Sequence, residues 1–235
     1  MTGVDARPPI RTFQPRRRRL SARRQQLLDS EGPRWMIDVA GPRLGRGELI
    51  ELFGREAPAV LEIGIGRGEA LLEIATADPD SDVIGVDVHT PGIAAVVLGI
   101  TNDELTNIRL VHGDVLEFLD RISPDVLAGV RVFFPDPWPK LSQRHKRLVN
   151  AANLDRFVAV LEPGGWLHLA TDIADYAEQM QHLADAHPEL TGGPIARPGW
   201  RPLTRYEQRG LDAGRTVTDL WYVRAPRVVT SSSRR

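Results

Sequence analysis

Leu61-Glu62-Ile63-Gly64-Ile65-Gly66-Arg67-Gly68 is the stretch on which the fold turns. It follows a short apolar run, Ala59 to Ile63, that reads as a buried strand, and it leads into a helix expected over residues 69–77. Glycines at such a junction let the backbone turn tightly and approach a ligand closely. Asp87 ends the next expected strand, 21 residues after Gly66, where an acidic group can accept hydrogen bonds from ribose hydroxyls. The spacing is G-x-G-x-G, with Glu69 where the dinucleotide pattern G-x-G-x-x-G has its third glycine. A pyrophosphate on this helix start would face Glu69 and Glu62, an unfavourable pairing. S-adenosylmethionine carries no phosphate and bears a sulfonium and an ammonium, so acidic residues around the turn favour it over a nicotinamide dinucleotide. The alternative is a structural glycine turn with Glu62 salt-bridged.

Outward from this turn, strands and helices alternate. Strands are expected at 82–87, 108–112, 130–134, 166–171 and 217–223, and helices at 20–29, 47–53, 93–103, 115–119, 147–161 and 172–186. Turn signals at Gly32, Pro33, Gly41, Pro42 and Gly45 separate the first two helices, and 191–214 reads as loop. The alternation predicts an α/β fold with a mostly parallel, doubly wound sheet. Residues 1–19 read as a disordered Arg-rich arm, 20–228 as one domain and 229–235 as a disordered tail. Asp114, at the end of the 108–112 strand, suits a helix cap, an acceptor for an adenine amino group, or both.

Val130-Arg131-Val132-Phe133-Phe134 runs into Pro135-Asp136-Pro137-Trp138-Pro139-Lys140. Three prolines in five residues end the strand in a stiff loop. Ligands of open α/β sheets bind beyond the carboxyl ends of the strands. An indole beside a fixed carboxylate there suits a planar, hydrogen-bonding ring such as a nucleobase.

The chain of 235 residues is 42% hydrophobic and 26% charged, enough for one large α/β core. It has no cysteine, which removes disulfides, thiolate metal sites and every cysteine nucleophile, including the cysteine-adduct route to C5-methylpyrimidines. No metal is expected. No apolar run approaches the roughly 20 residues of a membrane span, and the basic N-terminus lacks an apolar signal core, so the cytoplasm is the expected compartment. Net charge is −1, but cations cluster. Arg7, Arg11, Arg16 to Arg19, Arg23 and Arg24 crowd the start; Lys140, Arg144, His145, Lys146 and Arg147 form a second group, and Arg197, Arg201, Arg205 and Arg209 a third. Such clusters fit a phosphate-binding face or, individually, solvated loops.

Taken together these residues resemble one family, the bacterial tRNA (guanine-N7-)-methyltransferases of the TrmB type, class I S-adenosylmethionine-dependent enzymes with a Rossmann-like fold. The resemblance rests on 61–66, on Gly-Val-Asp-Val-His-Thr-Pro-Gly at 85–92, on His-Gly-Asp at 112–114, on Phe-Phe-Pro-Asp-Pro-Trp-Pro-Lys at 133–140, on Ala-Thr-Asp at 170–172 and on Thr-Arg-Tyr-Glu-Gln-Arg-Gly at 204–210. It implies cofactor contacts at Glu62, Gly64, Gly66, Asp87, Asp114 and Asp136, with Asp136 also the catalytic carboxylate. It implies substrate contacts at Lys140, Asp172, Thr204, Arg205, Tyr206 and Glu207, and RNA contacts at Ser142, Gln143, Arg144, His145, Lys146 and Arg147. The implied substrate is tRNA, at the guanine of position 46. Asp87 stands where many members have Glu, and Pro139 where many have His, so no proton-transfer role falls to that position. An exocyclic-amino RNA methyltransferase and a non-catalytic tRNA-binding protein are the alternatives. A monomer and a homodimer are equally compatible with the sequence.

Overall fold

The structure, a computed structural model, describes residues 11–14 and 19–226. Among the described residues, eight strands form one sheet in the order β1-β4-β3-β2-β5-β6-β8-β7. They are β1 (Met36–Ile37), β2 (Ala59–Ile63), β3 (Asp82–Asp87), β4 (Ile108–His112), β5 (Leu127–Phe133), β6 (Leu161–Thr171), β7 (Leu190–Ile195) and β8 (Thr218–Arg224). Pairing is parallel from β1 to β6. The last two strands run antiparallel, β8 against β6 and β7 against β8.

Among the described residues, eight α-helices flank the sheet: α1 (Ala22–Trp35), α2 (Arg46–Phe53), α3 (Glu69–Ala77), α4 (Thr90–Asp103), α5 (Val115–Leu119), α6 (Ala151–Val160), α7 (Ala174–Asp185) and α8 (Arg205–Asp212). Successive β2 residues point to opposite faces, and both faces are buried. Leu61 and Ile63 join Val130, Val132, Leu154 and Phe157 in one core cluster. Val83, Leu110, Leu71, Ile93 and Trp35 form the second on the other face. Burial on both sides explains why β2 and β3 read as near-continuous apolar runs. After β2 the chain lays β3 and β4 on one side, then crosses to place β5 and β6 on the other. The switch point therefore lies between β2 and β5, and it fixes where a ligand crevice opens. Among the described residues no helix is long and apolar enough to cross a membrane.

The strands that bound the glycine turn lie where the sequence places them; the differences lie elsewhere. The first helix does not stop at residue 29 but continues through Gly32 and Pro33 to Trp35. Trp35 is buried in the cluster with Leu27 and Leu28 beside it, and that burial outweighs the local turn signal. The helix expected from residue 147 begins only at Ala151, where the Asn150 side chain caps it by accepting from the Asn153 N–H at 3.1 Å. Leu141–Lys146 is a 3-10 helix instead.

The segment 191–214, expected as loop, contains most of β7 and all of α8. Gly192, Gly193 and Pro194 disguise β7, because glycine and proline are depleted in strands. As the edge strand it tolerates them. Gly192 is required by close approach, since a Cβ there would lie 2.0 Å from the Trp221 carbonyl oxygen.

Candidate active site

The glycine turn after β2 holds Gly64, Gly66 and Gly68 in left-handed conformations, with φ of 78°, 58° and 78°. A Cβ at Gly64 or Gly66 would meet nothing within 4 Å, so the turn faces open space. At Gly68 it would lie 2.1 Å from the Val96 side chain, so that glycine seats α3 against α4. Asp87 closes the turn from the end of β3. Its carboxylate accepts the Gly66 N–H and the His89 N–H, each at 2.8 Å. Burial pushes the Asp87 carboxyl above its ordinary value, against those two hydrogen bonds.

Glu62 and Arg131 sit side by side in register on β2 and β5. The two buried side chains approach to 3.5 Å. Burial raises the Glu62 carboxyl, with the Arg131 charge and hydrogen bond opposing it. Arg131 lies between Trp166 and Trp200, 5.4 Å from each ring centroid. The salt-bridged alternative for Glu62 is thus present in the structure. Asp114 caps α5, accepting the Leu116 N–H at 2.9 Å.

Beyond β5 the chain enters the loop with strained backbone. Phe134 and Trp138 have φ of 51° and 43°, a left-handed conformation uncommon for non-glycine residues and most costly for bulky ones. Phe134 is pinned by its N–H to the Ala170 carbonyl at 2.8 Å. The buried Trp138 donates its indole N–H to the Thr12 carbonyl at 3.1 Å. Asp136 accepts the Gln14 N–H at 2.7 Å. Residues 11–14, which the sequence assigns to a disordered arm, therefore rest on this loop with Thr12 buried; residues 1–10, 15–18 and 227–235, which include all the rest of that arm except Arg19 and the whole expected tail, lie outside the described residues.

Lys140, Ser142 and His145 are exposed, and Gln143 is half-buried. The Lys146 ammonium lies 4.9 Å from the Trp138 ring centroid, and Arg144 pairs with Asp175 at 2.9 Å. Arg147 departs from the expected RNA face. Its side chain is fully buried, donating to the Pro137 carbonyl at 2.9 Å, to Gln179 at 2.7 Å and to the Asp175 carboxylate at 2.5 Å. It holds the loop from beneath and offers nothing to solvent.

At the end of β6, Asp172 is buried, with Arg215 Nε 2.8 Å away. The 204–207 segment starts α8, with Thr204 as N-cap accepting the Glu207 N–H at 3.2 Å. Arg205 donates its backbone N–H to Glu69 at 3.1 Å, which ties α8 to the start of α3. Tyr206 is exposed, its ring centroid 5.5 Å from that of Phe134. Glu207 is the second departure. It is buried, and both its oxygens are taken by Arg201, at 2.7 and 2.8 Å. Arg201, counted with an exposed basic cluster, is itself 1% exposed.

The structure thus gathers Gly64, Gly66, Asp87, Asp114, Asp136, Asp172 and the start of α8 around the carboxyl edge of the sheet. Sequence reasoning missed Arg131, Arg201, His168 and Asp219, buried polar groups inside strands and a loop. It also missed the Thr204-x-x-Glu207 helix-start pattern, which was available as a signal. Among the described residues no three His, Asp or Glu side chains group as a metal site would require.

A family model described as "Putative methyltransferase" matches residues 56–220. A tRNA (guanine-N(7)-)-methyltransferase of Streptomyces avermitilis is 45% identical over 221 residues, covering 92% of this chain and 75% of that protein. One from Thiobacillus denitrificans is 42% identical over 223 residues, covering 93% of this chain and 97% of its own length. Among solved structures, the 16S rRNA methyltransferase KamB superposes with a TM-score of 0.58 at 16% identity, covering 82% of this chain and 99% of that one. The aminoglycoside resistance methyltransferase NpmB1 gives 0.53 at 23% identity, covering 78% and 95%. These likenesses establish the class I methyltransferase fold. The sequence relatives and the family model establish that the chain belongs to the tRNA (guanine-N(7)-)-methyltransferase family.

Proposed function

We infer that the protein transfers a methyl group from S-adenosyl-L-methionine to N7 of a guanine in tRNA, the reaction for which its relatives are named. The observation that carries this reading is a juxtaposition at the sheet switch point. An open glycine turn edged by carboxylates stands beside a strained loop that fixes Asp136. The residues present fit the cofactor. Gly64 and Gly66 leave room for a close approach to backbone, Asp87 and Asp114 supply acceptors, and Glu62 adds a carboxylate that it shares with Arg131. When bound, S-adenosylmethionine supplies an electrophilic methyl group on a sulfonium.

Guanine N7 carries an in-plane lone pair and no proton, so no base is needed to create the nucleophile. The protein's task is alignment and exclusion of water. Asp136 and Asp172 hold the base through its N1–H and N2 amino donors, and their charge stabilises the cationic ring that develops. Asp136 is suited to this because Pro135 and Pro137 restrict the backbone on either side of it. The Gln14 N–H on its carboxylate shows that it can accept from an amide-like donor. Lys140, Ser142 and His145, exposed beside this loop, and Arg205 on α8 face the RNA phosphates, which position the substrate without reading its bases. The proposed target is guanine 46 of the variable loop, the position that the family resemblance implies. The cytoplasm, where tRNA is used, is the compartment this reading assigns.

Incubating the protein with bulk unmodified tRNA and methyl-labelled cofactor, followed by nucleoside analysis, tests the reading. Label in 7-methylguanosine is expected. Label in N2-methylguanosine or N6-methyladenosine would assign an exocyclic-amino enzyme, and no label at all would assign a binding protein.

A further inference from the structure

Thr204, Arg205, Tyr206 and Glu207 are consecutive, yet their side chains do different things. Arg205 and Tyr206 are exposed at the site, whereas Glu207 is turned inward. There Arg201 grips two carboxylates at once. Its Nη1 donates to Glu207 at 2.7 Å, and its Nη2 donates to Glu207 at 2.8 Å and to Asp219 at 2.9 Å. Its Nε lies 2.8 Å from the second Asp219 oxygen. Asp219, on β8, is in turn 2.8 Å from Nε2 of His168 on β6. All four side chains are at most 2% exposed.

Burial pushes the Asp219 carboxyl up, but the hydrogen bonds and charges of His168 and Arg201 outweigh it and hold the group below its ordinary value. Only a planar guanidinium presents enough fixed donors to chelate both carboxylates together. For Glu207 to reach a guanine, this two-pronged grip would first have to break.

The network ties the first turn of α8 to β8 and, through His168, to β6, the strand that leads to Asp172. The same turn sets the Tyr206 ring against Phe134 and the Arg205 N–H against Glu69. The start of α8 is therefore a crosspiece between the glycine turn, the proline loop and the end of β6. We propose that Arg201 is a positioning residue for methyl transfer, and that Glu207 acts through it, by fixing the start of α8, rather than by touching the guanine. This rests on the reading above, in which Asp136 and Asp172 hold the base beside that helix.

Displacing reacting groups by about 1 Å costs on the order of 10²-fold in rate. Phosphate contacts dominate tRNA affinity. Disruption of the network should therefore lower the rate at saturating tRNA and leave binding nearly unchanged. The experiment is single-turnover methyl transfer by the full chain with saturating tRNA and cofactor. Its variants are Arg201→Lys, Glu207→Gln, Asp219→Asn, the Arg201→Lys/Glu207→Gln pair, and Asp136→Asn for comparison.

Each of the first three should slow transfer by about 10- to 100-fold. Cofactor affinity by calorimetry and tRNA affinity by anisotropy should stay within about twofold of wild type, as phosphate-dominated binding requires. The double variant should be no slower than the slower single variant, because both changes cut one network. Rate reductions that multiply would assign Glu207 an independent role on the substrate and overturn the proposal. So would a wild-type rate in Asp219→Asn, which disturbs Arg201 from the side away from α8 and decides the matter by itself if Arg201→Lys does not fold. A wild-type rate in Asp136→Asn would instead sink the base-holding reading, while coupled rate reductions in the other variants would still identify Arg201 as the residue that sets α8.

Discussion

Asp87 accepts two backbone N–H groups at the closed end of the glycine turn, yet its burial still holds its carboxyl above the ordinary range. A raised carboxyl protonates earlier than exposed aspartates as pH falls. Its contribution to fold stability is fully present below the unfolded value and is lost as pH rises through the folded one. The proposed cofactor contact has the opposite demand, because ribose hydroxyls and a cationic ligand need the ionised acceptor. Cofactor affinity should therefore weaken on acidification from neutrality before exposed carboxylates titrate. Asp87→Asn should bind about tenfold more weakly at neutral pH, the loss of roughly one charged hydrogen bond, and should show a shallower pH dependence. Calorimetric titration across pH would check this; an unchanged pH profile in the variant would assign the dependence elsewhere, Glu62 first.

The stretch from Pro135 to Arg147 combines two kinds of cation. Arg147 is inside, bracing Pro137 against α7 through Asp175 and Gln179. Lys140 is outside, at the start of the 3-10 helix. Arg147→Ala should cost about 2–4 kcal/mol of stability, because it removes a buried guanidinium and strands its partners. Lys140→Ala should cost under about 0.5 kcal/mol, as surface changes do, and raise the KM for tRNA with the cofactor KM unchanged. Thermal melts beside steady-state kinetics separate the two. Equal melting temperatures for both variants would mean that the buried hydrogen bonds around Arg147 contribute little.

The sequence places these two residues in one basic run, and nothing in their spacing distinguishes them. Burial of an arginine depends on which acceptors a distant helix brings, and α7 lies nearly 30 residues further along the chain. The same cause explains α8. Its start was written in Thr204 and Glu207, but the inward turn of Glu207 depends on Arg201 and on Asp219 from β8.

At the scale of the molecule, net charge is −1, so attraction to RNA must come from how cations are distributed. The arm carries many of them. Residues 11–14 of it lie on the proline loop through Thr12 and Gln14. Two truncations separate its roles. Removing residues 1–10 should leave these loop hydrogen bonds in place. Removing 1–19 should also uncover Trp138 and shift its fluorescence to the red. For every RNA phosphate that a truncation leaves unneutralised, the slope of log affinity against log salt should flatten by about 0.7 to 0.9, measured by anisotropy. Identical slopes for the full chain and both truncations would mean that the arm only solubilises. The methylated position should not change, because phosphate contacts carry no base information.

What the sequence determined by itself is the sheet centre and the carboxylates at its edge. β2, β3 and β4 lie at the bounds their apolar runs predict, because strands covered on both faces are largely apolar and the turns between them are marked by glycine or acid. Gly64, Gly66, Asp87 and Asp114 are local consequences of that pattern. Tertiary structure alone decided the polar interior: Arg131 on Glu62, Arg147 under the loop, and Arg201 between Glu207 and Asp219. A buried charge is tolerated only beside a partner. These partners lie on different elements, so which charges go inside is settled only when the elements pack.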